Sequence, residues 1–129
     1  TADTANGIDI TLEVTLKSAR MDEAQTISRS NMKHLYWSLA QMLAHHTVTG
    51  CNMRTGDLCG TGTISGPTED GYGSMLELTW RGEHPLQLPD GETRTFLQDG
   101  DIVTMKGYCQ GDGYRIGFGE VTGKILPAR

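Results

Sequence analysis

Residues 107–119, Gly-Tyr-Cys-Gln-Gly-Asp-Gly-Tyr-Arg-Ile-Gly-Phe-Gly, carry five of the chain's 17 glycines and no helical hydrophobic spacing. Glycine loses more conformational freedom on folding than any other residue, so a strand this rich in it needs a reason. The usual ones are positive φ, a bulge, or another backbone or ligand pressed close. A second cluster, Gly60-Thr-Gly-Thr-Ile-Ser-Gly-Pro67, lies mid-chain. Together they predict chemistry on glycine-shaped turns beside strands rather than on a helix.

At 129 residues the chain is one domain's worth at most, enough for a single core. Its hydrophobic fraction is 36% and its aromatic fraction 6%, so the core is expected to be thin or completed by another chain or segment. A net charge of −5, with acids and bases mixed and no Lys/Arg block, argues against nucleic acid and anionic membranes as partners. No apolar run exceeds three residues, so nothing reads as a membrane span or signal peptide. Three cysteines (Cys51, Cys59, Cys109), without Cys-x-x-Cys spacing, fit neither a disulfide framework nor structural zinc. Free thiols suit a reducing cytoplasm. The first residue is Thr1, which points to a processed, truncated or incomplete chain.

Ile8, Ile10, Leu12, Val14 and Leu16 alternate with polar residues and predict a half-buried strand. Residues 17–29 are polar and read as loop. A helix is expected from about Asn31 to His46, with Met32, Leu35, Leu39 and Met42/Leu43 at helical spacing. Ser30 or Asn31 would cap it, and Gly50 lies just past its end. Beyond Gly50 the pattern turns to β. Strands are expected at 58–64, 74–80, 86–88, 93–97, 102–109, 114–121 and 124–126, with turns at Pro89-Asp-Gly-Glu92 and Gln98-Asp-Gly-Asp101. The fold class is therefore mainly β with one covering helix.

Gly111-x-Gly113-x-x-x-Gly117 has the wrong spacing for a dinucleotide loop, and no helix follows it. His45 and His46 are neighbours near the helix end, about 100° apart, and cannot form the i, i+4 face of a zinc helix. Packing, and a favourable place at a helix C-terminus, is the better reading. His34 and His84 are isolated. Asp99 and Asp101 flank a glycine without the other ligands of a calcium loop and read as turn residues. Glu77, in Ser-Met-Leu-Glu-Leu-Thr-Trp, is either an outward polar strand residue or a carboxylate orienting a catalytic base or water. Thr63 is either an ordinary strand threonine or a hydroxyl that holds an anionic or carbonyl oxygen.

The order of motifs says more than composition. His45-His-Thr-Val-Thr-Gly-Cys-Asn52, Arg54-Thr-Gly-Asp-Leu58, Gly62-Thr-Ile-Ser-Gly-Pro67, Gly73 to Glu77 and the string at 107–119 closely resemble the C-terminal part of the catalytic domain of the fumarylacetoacetase (fumarylacetoacetate hydrolase) family. The likeness runs over essentially all 129 residues, including Tyr36-Trp37 and the ending Gly123-Lys-Ile-Leu-Pro127. Distant superfamily members usually have a Gly-Thr-Pro loop where this chain has Gly-Thr-Ile-Ser-Gly-Pro.

The resemblance implies a cytoplasmic, homodimeric hydrolase that splits 4-fumarylacetoacetate into fumarate and acetoacetate in tyrosine and phenylalanine catabolism. It implies a mixed β-sandwich roll, preceded by an upstream part of that domain and an SH3-like domain that this chain lacks. It implies a histidine base aided by a glutamate, and bound Ca2+ or Mg2+ with its ligands upstream of this segment. Glu77 matches the glutamate that orients the base and its water, and Thr63 matches a substrate-contacting threonine. None of the four histidines here occupies the base's motif. Residues 1–129 would thus furnish one wall of a site and one catalytic carboxylate, and are expected to be inactive alone. The alternatives are another reaction of the superfamily (acylpyruvate hydrolysis, decarboxylation or isomerisation of a 2-oxo acid) or a non-catalytic β module.

Overall fold

A computed structural model describes residues 7–129. The alternating segment forms β1 (Thr11–Lys17), which pairs antiparallel with β2 (Gln25–Asn31). Of the polar stretch 17–29, expected as loop, residues 18–24 lie outside the strands, whereas Lys17 and 25–29 are strand, a correction to the sequence pattern. β2 buries small polar residues rather than large apolar ones, so it has no alternation of the usual kind. Ser28 and Ser30 are buried, and Ser28 Oγ donates to the Tyr72 carbonyl at 2.7 Å. That tertiary partner makes the burial of Ser28 tolerable.

The helix is shorter than its spacing predicts. Asn31 caps only a single 3-10 turn, Met32–His34, after which Leu35 is extended at ψ 133°. The helix proper, α1 (Leu39–Thr47), starts at Ser38, whose hydroxyl accepts from Gln41 N while the Gln41 side chain accepts from Ser38 N. That reciprocal box fixes the start seven residues later than the apolar spacing suggests. Gly50, at φ +87°, follows its end as expected. No residue of α1 is buried.

Residues 58–64 were expected as a strand but lie outside any ladder, and Leu58 is fully exposed. A strand needs a neighbour for its backbone groups, and alternation alone does not create one. Residues 74–80 are a further correction: Met75–Leu78 form one helical turn, α2, capped by Ser74. Leu76 and Leu78 suggest period two, but Met75 and Leu78 are equally three apart, so the window is too short to decide. Thr79, fully buried, closes the turn by donating to Met75 O at 2.7 Å. Trp80 and Arg81 then turn left-handed, at φ +48° and +61°.

The hairpin around Pro89-Asp-Gly-Glu92 forms as expected between β3 (Leu86–Gln87) and β4 (Thr93–Arg94), in register Leu86↔Arg94. The strands are shorter than predicted. Asp101 shapes the following turn by accepting from Gln98 N at 3.0 Å. It then leads into β5 (Ile102–Gln110), which pairs with β1 on one side and β6 (Arg115–Lys124) on the other. The sheet order is β2-β1-β5-β6, all antiparallel. The chain is mainly β with one principal helix, in agreement with the sequence pattern.

The glycine-rich stretch gains a physical account. The β5–β6 register slips between Lys106↔Glu120 and Tyr108↔Gly117, so Phe118 and Gly119 face the single residue Gly107. Gly119 takes φ +76° at this bulge, where a side chain would be strained. Among the described residues the buried apolar core is Leu16, Met21 and Leu88, flanked by Ile27 and Val103. Met105, Ile116, Phe118 and Val121 are each more than half exposed. The thin core expected from composition is what the fold contains.

Candidate active site

Glu77 lies on α2, not mid-strand, and its surroundings follow from two loops meeting. Ser74-Met-Leu-Glu77 has the S-x-x-E spacing of a helix start, and the Ser74 hydroxyl accepts from Glu77 N at 3.3 Å. The loop 62–67 returns across this turn because Gly73 has no side chain. A Cβ at Gly73 would sit 2.5 Å from the Ile64 carbonyl oxygen and 2.7 Å from Thr63 Cγ2. Gly66 N donates to Gly71 O at 2.7 Å and clamps the far end of the same loop.

This approach brings Ser65 onto the carboxylate. Ser65 Oγ donates to both oxygens of Glu77, at 2.8 and 2.9 Å, and Ser74 Oγ donates to Oε2 at 2.8 Å. Ser65 Oγ in turn accepts from Gly73 N at 3.2 Å. Hydrogen bonds to an ionised carboxylate favour that form. The Ser65 hydroxyl, then the Ser74 hydroxyl, hold the Glu77 carboxyl below the usual range, against a smaller opposing effect of partial burial; Gly73 and Ser74 N–H add lesser help. The group is half-buried, bound to the 62–67 loop rather than directed into open solvent.

Thr63 is exposed at the edge of the same junction, its methyl against Gly73. The two residues singled out from sequence thus belong to one local assembly. The sequence reading missed Ser65, Ser74 and Gly73. The S-x-x-E pattern was the available signal for Ser74; nothing in the sequence marked Ser65 as its partner across the loop.

Other candidates gather no comparable chemistry. A surface concavity of about 540 Å3 runs along the sheet past Glu13, Arg29, Lys106, Tyr108, Arg115 and Glu120 and includes neither Glu77 nor Thr63. Its charges satisfy one another: Arg29 pairs with Glu13 at 2.7 Å, Lys106 with Glu120 at 3.2 Å, and Arg115 lies 3.4 Å over the Tyr108 ring. His45 and His46 occupy the last turn of α1, and His46 Nε2 lies 3.3 Å from Cys51 Sγ on an exposed surface. The three cysteines are unbridged. Among the described residues no three His, Cys, Asp or Glu side chains group as metal ligands, so these residues do not fit the Ca2+ or Mg2+ that the resemblance implies. Among them, too, no helix is long and apolar enough to cross a membrane.

Comparison with known proteins agrees with the motif order. The chain is 58% identical over 120 residues to the fumarylacetoacetase of Homo sapiens, covering 93% of this chain and 29% of that protein. It is 60% identical over 120 residues to the fumarylacetoacetase of Arabidopsis thaliana, covering 93% and 28%. It is 58% identical over 122 residues to that of Dictyostelium discoideum, covering 93% and 29%. The chain therefore spans less than a third of the length of these relatives. Residues 1–126 match the family model for the fumarylacetoacetate (FAA) hydrolase C-terminal domain, and the chain belongs to that family.

Proposed function

We propose that this chain is the C-terminal part of an enzyme that hydrolyses a carbon–carbon bond of 4-fumarylacetoacetate, giving fumarate and acetoacetate, and that Glu77 is its catalytic carboxylate. The observation that carries the reading is the carboxylate of Glu77, held ionised by two serine hydroxyls, at the position that the resemblance matches to the family's catalytic glutamate. An ionised carboxylate cannot give up a proton, but it can orient a histidine base and stabilise the imidazolium that forms. The histidine is assigned to the rest of the enzyme, because none of this chain's four lies in the family's base motif.

In this scheme the base takes a proton from water as its oxygen bonds to the fumaryl carbonyl carbon. The bond from that carbon to the acetoacetate methylene then breaks. Its electron pair leaves on the methylene as an enolate, which takes up a proton. Glu77 keeps the base and water aligned through both steps. Thr63 is assigned to a substrate oxygen, since the residue is exposed on the loop that carries Ser65 and the resemblance matches it to a substrate-contacting threonine.

The whole enzyme is proposed to bind Ca2+ or Mg2+ through residues outside this chain, to work as a homodimer and to reside in the cytoplasm. The unbridged thiols and exposed sheet face are compatible with the last two. The test is steady-state hydrolysis of 4-fumarylacetoacetate by the full-length protein and its Glu77→Gln variant. Acylpyruvates and other 2-oxo acids serve as competing substrates. Preferred turnover of an acylpyruvate would move the assignment elsewhere in the superfamily. Full activity in Glu77→Gln would remove the role of the carboxylate.

A further inference from the structure

The hydroxyls around Glu77 form a directed relay, not a random polar cluster. A serine hydroxyl has one proton to donate and lone pairs with which to accept. Backbone N–H groups fill an acceptor role on both: Gly73 N–H on Ser65 and Glu77 N–H on Ser74. The single proton of each then goes to the carboxylate. Oε2 receives two of these bonds and Oε1 one, so more free acceptor capacity lies on Oε1.

We propose that Ser65 and Ser74 are positioning residues that fix the Glu77 carboxylate in a single orientation and leave Oε1 as the oxygen that meets the catalytic base or water. This rests on the role given to Glu77 above. Ser65 spans both oxygens and so sets the plane of the carboxylate. Ser74 sits three residues before Glu77 and ties its side chain to the start of the helical turn that carries it. Gly73 joins the two halves, because its N–H orients Ser65 and its missing side chain lets the loop approach.

The test uses the full-length enzyme with Ser65→Ala, Ser65→Thr, Ser74→Ala, Glu77→Gln and the Ser65→Ala/Glu77→Gln pair. Ser65→Ala should lower kcat roughly tenfold, the scale of a hydrogen bond to a charged group, with KM within about twofold. The acid limb of its kcat profile should move to higher pH, and Ser65→Thr should recover most of the rate. Ser74→Ala should shift the limb in the same direction. Added to Glu77→Gln, Ser65→Ala should cost nothing further, because a residue that acts through Glu77 has nothing left to act on. An equal loss in both backgrounds, or an unmoved acid limb, overturns the proposal.

Carbon-13 titration of the Glu77 carboxyl in the parent and in Ser74→Ala separates this from the catalytic reading. If Glu77→Gln keeps full activity but the carboxyl titrates at higher pH in Ser74→Ala, the hydroxyls hold the group and only its catalytic role is lost. If the titration is unchanged, the positioning inference fails whatever Glu77 does in catalysis.

Discussion

Ser65 and Glu77, twelve residues apart in sequence, share one hydroxyl proton between two carboxylate oxygens at 2.8 and 2.9 Å. The contact joins an irregular loop to a one-turn helix. It depends on the absence of a side chain at Gly73, between them.

Glu77→Gln keeps the size of the side chain but removes its charge. In the full-length enzyme it should lower kcat by about 10^2- to 10^4-fold, the range for a group that works through general-base chemistry. KM should change little, while the melting temperature at neutral pH should fall modestly, because the stability linked to the ionised carboxylate is lost. Steady-state kinetics beside a thermal melt measures this, and a loss of less than threefold would oppose the assignment.

Gly73→Ala should damage both fold and activity. The new Cβ would fall 2.5 Å from the Ile64 carbonyl oxygen, far inside contact distance. Relief requires the 62–67 loop to retreat, which separates Ser65 from Glu77. A melting temperature several degrees lower is expected, with a fall in kcat/KM greater than that of Ser65→Ala. An unchanged melt and an unchanged rate would show that the loop tolerates the displacement.

The folded state lowers the proton affinity of Glu77 relative to the unfolded chain. The linked stability is therefore fully present above the ordinary glutamate range and is lost as pH falls through the lowered value. Glu77→Gln should flatten this part of the stability profile in the full-length enzyme. Denaturant melts from pH 7 down to about pH 3 test it; parallel profiles for parent and variant would contradict the sign.

Arg94 and Asp101 form a buried ion pair, 5% and 0% exposed, with Nε 3.0 Å from Oδ2 and Nη2 3.1 Å from Oδ1. Arg94→Met should destabilise by about 3–5 kcal/mol, because it strands a carboxylate in the interior. Replacing both partners with apolar residues should cost less than that single change. A double-mutant cycle by chemical denaturation of the full-length enzyme reads the difference.

Residues 1–129 alone should not hydrolyse 4-fumarylacetoacetate and should associate or melt without cooperativity. Among the described residues the buried core is three apolar side chains, while Phe118 and Val121 are 63% and 73% exposed. Sedimentation and calorimetry are the measurements. A monomer with a sharp melt, or measurable turnover, would contradict the expectation.

Sequence alone settled what depends on local chemistry. Period-two alternation at 8–16 gave β1, Pro89-Asp-Gly-Glu92 gave its hairpin, and Gly50 marked the end of α1. The motif order identified the family, because a long ordered string of glycines and polar residues rarely recurs by chance. Tertiary structure decided the rest. β2 is a strand because its backbone pairs with β1 and Ser28 finds a partner across space, a property that hydrophobic spacing cannot register. The segment 74–80 is helical because Ser74 caps it and Thr79 closes it, where a seven-residue pattern allowed either period. The environment of Glu77 was hidden for the same reason: the hydroxyl that spans its carboxylate belongs to a loop brought there by backbone geometry at Gly73, and no spacing along the chain encodes that meeting.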